Sequence, residues 1–136
     1  MSTITQALSA LATRLSAVTA VRTGWDALET TSATLPVITI RSLGDAPAED
    51  QSYDGNSYTR RLGIEYLCSV NASADYQRTL DTALGDLRAA IVPDVDGQWL
   101  SGYALAVRPP TADFIHPADN GGIAVVQLIL EIDYLE

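Results

Sequence analysis

At 136 residues the chain is sized for one domain around one core. Its hydrophobic content of 47% contains no apolar run near the roughly 20 residues of a bilayer span, which excludes a helical integral membrane protein and points to a soluble one. Eight basic residues, all arginine, stand against seventeen acids; the resulting −9 repels polyphosphate and anionic lipid, so classical nucleic-acid and membrane binders are disfavoured.

Thr5, Gln6, Ser9, Thr13 and Arg14 interrupt what would be the apolar centre of a signal peptide, so no export and a reducing compartment are expected. Cys68 has no partner for an internal disulfide and reads as a buried thiol. In that setting the glycosylation pattern Asn71-Ala72-Ser73 is idle.

Thr3 with Gln6 three residues on is a capping-box pattern, and Ile4, Ala7, Leu8, Leu11, Leu15 and Val18 share one side of the helix it starts, which runs to about Ala17. Val21, Thr23 and Trp25 alternate with Arg22 and Gly24, as in a short edge strand. Residues 35–43 are β-branched and alternating, with Pro36 at the strand start where it leaves the ladder intact. The next fourteen residues, 44–57, combine glycine, proline and the acids Asp45, Glu49, Asp50 and Asp54, and read as a long loop acting as an interaction arm.

The centre of the chain is a long strand followed by an amphipathic helix. Tyr58, Leu62, Ile64, Tyr66, Cys68 and Val70 fall on alternate positions, a period of two, with one face in a core and the other partly wet. Ser73 is positioned to cap a helix whose stripe is Tyr76, Leu80, Ala83, Leu84, Leu87 and Ile91, with Asp75 and Arg88 complementing its dipole and Pro93 ending the run.

Asp94-Val95-Asp96-Gly97 resembles half a calcium loop without the later ligands, and reads as a turn. A strand through Tyr103, Leu105 and Val107 is expected to end at Pro109-Pro110, with a second polar loop up to Gly122. Residues 123–135, apolar on both faces at first, make an interior strand that emerges at Glu131 and Asp133. The fold expected is α+β in two layers, with two helices packed on one face of a mixed, mostly antiparallel sheet of four to five strands.

The sequence lacks a nucleophile elbow, a phosphate-binding loop, a dinucleotide-type glycine turn and a zinc-protease helix. Its only histidine, His116, stands between Asp113 and Asp119. A hydrolase would have to build on His116 with Asp119 and Ser57 or Ser101, and a hard cation would take Asp113 and Asp119; a solvated loop tip accounts for the same residues. Trp25, Tyr53, Tyr58, Trp99, Tyr103 and Phe114 lie in or beside loops and strand ends, where aromatics serve packing or a protein interface.

Leu35-Pro36-Val37-Ile38-Thr39-Ile40, the acidic stretch 44–56, residues 58–67, Leu80-Asp81-Thr82-Ala83-Leu84, Gly102-Tyr103 with Arg108, and the closing strand with its I-x-Y ending follow one another in an order that resembles the lambda-type tail terminator (minor tail protein) family of long-tailed phages. The resemblance rests on element order and loop placement rather than on one motif. It implies a non-enzymatic, cofactor-free subunit of a hexameric ring that caps the tail tube, stops its polymerisation and presents the head-attachment surface. Its partners would be further copies of itself, the major tail tube protein and a head-completion or connector protein, in the virion after assembly in the bacterial cytoplasm. Contacts to them are expected among Asp45, Glu49, Asp50, Tyr53, Asp54, Arg60, Arg61, Arg108, Asp113, Phe114 and His116. Six copies at −9 each carry −54, and an acidic lumen would let DNA slide without sticking. A neck adaptor or a tube subunit is the alternative within the same class.

Overall fold

The protein is described from a computed structural model, over residues 2–23, 35–48, 56–69, 75–115 and 122–136. Among these residues, two α-helices and a five-stranded sheet follow in the order α1 (Thr3–Leu15), β1 (Val21–Thr23), β2 (Val37–Pro47), β3 (Ser57–Ser69), α2 (Tyr76–Ala90), β4 (Ala106–Ile115) and β5 (Ile123–Leu135). Across the sheet the strands lie β1-β2-β3-β5-β4, with β1 parallel to β2 and every other pair antiparallel, an α+β architecture. The short segment at 21–23 is an edge strand, as its alternation suggests, and Trp25 lies outside the described residues.

The alternation in β3 sets the core. Leu62, Ile64, Tyr66 and Cys68 are buried, and the register places Ile64 opposite both Ile40 of β2 and Leu128 of β5. Cross-strand partners share a face, so Ile38, Ile40, Val126, Leu128, Leu130 and Ile132 line the same side. These side chains form one cluster with Ile4, Ala7, Leu11 and Leu15 of α1 and Leu80, Ala83, Leu84 and Leu87 of α2. Removing each such leucine from water contributes roughly 2 kcal/mol. We call this the core face and its reverse the outer face. At the β1 end the outer face is also closed, with Val37, Thr39 and Val125 at most 3% exposed.

Both helix starts differ from the sequence reading by a short step. Ser2, not Thr3, caps α1 by accepting the Thr5 N–H at 3.3 Å, and Asp75 caps α2 by accepting the Arg78 N–H at 3.2 Å. In each case an adjacent oxygen-bearing side chain does the same chemistry one or two positions away. Helix α1 stops at Leu15, short of Ala17, where Ser16 takes the cap position. Arg14 then ties α1 to the end of α2: it pairs with Asp94 and donates to the carbonyls of Val92 at 2.7 Å and Ala90 at 3.4 Å.

Both expected loops are shorter than their composition suggests. β2 does not end at Leu43; a bulge there shifts the register, and residues 44–47 continue paired with β3, which begins at Ser57. Leu43 folds over Gly63, where a Cβ would meet it at 3.4 Å. Nor does Pro109-Pro110 end β4. This is the outermost strand, so missing N–H groups cost no ladder bond on the outside, and a register shift between Arg108 and Thr111 absorbs the prolines. Thr111, Asp113 and Phe114 are therefore strand residues. Tyr103, expected in that strand, instead follows a 3-10 turn over Leu100–Gly102 whose three residues have φ of 50°, 61° and 86°.

Candidate functional site

The strands β2, β3 and β5 run on past β1 to a projecting end where residues 41–47 are all exposed. Asp45, Arg60, Arg61 and Arg108, four of the residues expected to meet partners, converge there. Because side chains alternate, Arg60 lies on the core face with Tyr58 and Leu62, and Arg61 on the outer face with Thr59.

On the core face Arg60 donates from Nε to Asp45 Oδ2 at 2.7 Å and from Nη1 to Ser42 Oγ at 2.9 Å. The same Asp45 oxygen accepts the Tyr134 hydroxyl at 2.6 Å, and the Tyr134 ring lies 5.9 Å from that of Tyr58. Burial, then the Asp45 carboxylate as acceptor and as charge, pushes Tyr134 up to about 12, with Arg60 pulling the other way. Burial opposes the Arg60 charge, yet Asp45 and Tyr134 together hold that guanidinium above its ordinary value. Asp45 thus belongs to the body of the sheet rather than to a free arm.

The outer face carries a second network. Arg108 spans two carboxylates two residues apart on β5: Nε donates to Glu131 Oε2 at 2.8 Å, while Nη1 and Nη2 donate to Asp133 at 2.8 and 3.1 Å. Thr59 Oγ1 donates to Asp133 Oδ1 at 2.6 Å. Hydrogen bonding to Asp133, against burial, keeps Arg108 protonated above its usual range. Arg41 and Glu65 form a further ion pair on this face. Arg61 faces Glu131 in the register, but that carboxylate is held by Arg108, and Arg61 makes no ion pair with a described residue. It lies in a concavity of about 780 Å³ walled by residues 44–48.

Asp113 and Phe114 are elsewhere, exposed near the far end of β4 opposite Gln127 and Val126. Glu49, Asp50, Tyr53, Asp54, His116 and Asp119 lie outside the described residues, as do Asn71 and Ser73. Tyr134, Thr59, Glu131 and Asp133 are site residues that sequence reasoning missed. The signal for the last two was present: acids at positions two apart on a strand point to the same face.

Among the described residues no nucleophile, base and orienting group come together. Cys68 is buried, and burial pushes its thiol up, away from the reactive thiolate. Ser101 is exposed, and its backbone N–H donates to Asp94 at 2.8 Å. Ser57 Oγ is buried with no hydrogen-bond partner among the described groups. No group of three or more potential metal-binding side chains occurs among the described residues, and none of their helices is long and apolar enough to cross a membrane. What the arrangement supplies is a rigid, charged relief: guanidinium forks hold carboxylates on both faces of a projecting sheet end. No protein family matches the chain, and no curated protein matches it either.

Proposed function

We propose that the chain is a structural, non-enzymatic subunit of tail-terminator type, which closes into a ring on the end of a phage or prophage tail tube, halts its growth and offers a surface to the head-side connector. The observation that carries this reading is the projecting sheet end, where charged side chains are locked to one another on both faces and so fix a shape rather than poise a reaction. The element order and the residues that resemble the terminator family support it as well. In this reading both helices pack on one face of the sheet as a two-layer body, which the single cluster joining their buried residues to the core face favours. Each copy offers its projecting end to a neighbour, and the acid excess of each chain lets DNA pass through the ring without binding.

Light scattering of the purified protein over a wide concentration range, with and without magnesium, tests this. Six copies of the 14.5 kDa chain give about 87 kDa. Electron microscopy of the protein with isolated tail tubes is expected to show one decorated end per tube. A persistent monomer that leaves tube ends bare overturns the proposal, and polymerisation into long tubes marks a tube subunit instead.

A further inference from the structure

We infer that the outer-face concavity is the acceptor, and the turn at residues 94–97 the donor, of a head-to-tail contact between copies of this chain. The inference rests on the ring reading and names the surfaces that would close the ring.

The acceptor has a prearranged floor and one unused charge. Arg108, Glu131, Asp133 and Thr59 satisfy one another, which leaves Arg61 as the cation on that floor without a carboxylate from the described residues. Beside it the exposed Ala46 and Pro47 present apolar surface. The volume, about 780 Å³, accommodates a short turn of peptide.

The donor is a small rigid knob. Val95 is fully exposed, an unusual state for a valine, and Asp96 beside it is exposed as well. The turn is held from below: Gly97, at φ +84°, donates its N–H to the Asp94 carbonyl at 2.9 Å, and the Asp94 carboxylate is tied to Arg14 and to the Ser101 N–H. Such a tip loses little conformational freedom on docking. Val95 against the apolar wall and Asp96 against Arg61 give matched chemistry in a chain where acids outnumber arginines, so an unpaired arginine is the scarce partner.

The two surfaces lie apart. The tip is anchored to α1, whose stripe packs with the core face, whereas the concavity opens on the outer face. A contact between them is heterologous and repeats from copy to copy, the kind of contact that builds a ring when its rotation closes and a filament when it does not.

The test is a charge exchange in the full chain, read by sedimentation velocity over a concentration series. Arg61→Asp, Asp96→Arg and Val95→Asp are each expected to raise the concentration needed for assembly at least about 10-fold, with circular dichroism unchanged. The double variant Arg61→Asp/Asp96→Arg is expected to assemble within about 3-fold of the parent. Single variants that assemble like the parent, or a folded double variant that stays as impaired as the singles, overturn the inference and leave the ring standing. A parent that is monomeric at every concentration removes the ring reading itself.

Discussion

Replacing Asp45 by alanine tests whether the projecting end is part of the folded body. The change removes the acceptor of both Arg60 Nε and the Tyr134 hydroxyl. Tyr134 is only 4% exposed, so its hydroxyl is left in a site with little water, a loss of about 1–3 kcal/mol. The Arg60 ion pair is partly solvated, with side-chain exposures of 21% and 29%, and adds at most about 1 kcal/mol. For 136 residues the entropy of unfolding is about 0.3 kcal/mol/K, so a total near 2–3 kcal/mol lowers Tm by roughly 7–10 °C. The same residue predicts a pH effect. Tyr134 has a folded pKa raised to about 12 from 10, so its neutral form is favoured by folding; the contribution is whole below pH 10 and is lost as pH rises through about 12. Tyrosinate absorbance during alkaline titration would show a component for Tyr134 that ionises late, and Asp45→Ala would bring it down part of the way, since burial, the largest cause, stays. A Tm within about 2 °C of the parent, together with an unmoved titration, refutes the reasoning.

Arg14→Ala removes the pair with Asp94 and the hydrogen bonds to Val92 and Ala90; with side-chain exposures of 25% and 19% the loss is about 1–2 kcal/mol, visible as a Tm lower by roughly 3–7 °C in calorimetry. Leu128→Ala, at a fully buried position in the interior strand β5, costs about 3–5 kcal/mol and shifts the urea midpoint without changing the slope. Cys68, only 6% exposed and with a thiol raised by burial, is expected to resist an aromatic disulfide reagent in the native protein and to react at the rate of unfolding; immediate stoichiometric labelling contradicts its placement.

Where a pattern is carried by periodicity, the sequence already spoke clearly. The alternation through Leu62, Ile64 and Tyr66, the stripe of Leu80, Leu84 and Leu87, and the apolar run of β5 all lie where their spacing puts them. What it hid depends on partners distant in the chain. Gly44 and Asp45 look like loop residues until Arg60 and Arg61 are set opposite them, because local composition contains no information on a cross-strand partner. Pro109 and Pro110 look like a strand end because a proline breaks an interior ladder; only the strand order reveals that β4 has a free side. The candidate site was legible in part for the same reason. Arg60, Arg61 and Arg108 stood out by residue type, but the carboxylates that engage Arg108 lie more than twenty residues further on, and Phe114 and Asp113, near in sequence to Arg108, point to the opposite end of the strand.

The two prolines of β4 have a bearing on the life of the protein in a crowded cell. The border of a sheet is a template on which stray extended chains can add, and copies that add to one another this way make open-ended fibres. Neither Pro109 nor Pro110 carries an N–H, so that border is short of a donor where they sit, and the register shift beside them bends it out of line. Restoring donors there, for instance by valine at both positions, would make the margin sticky.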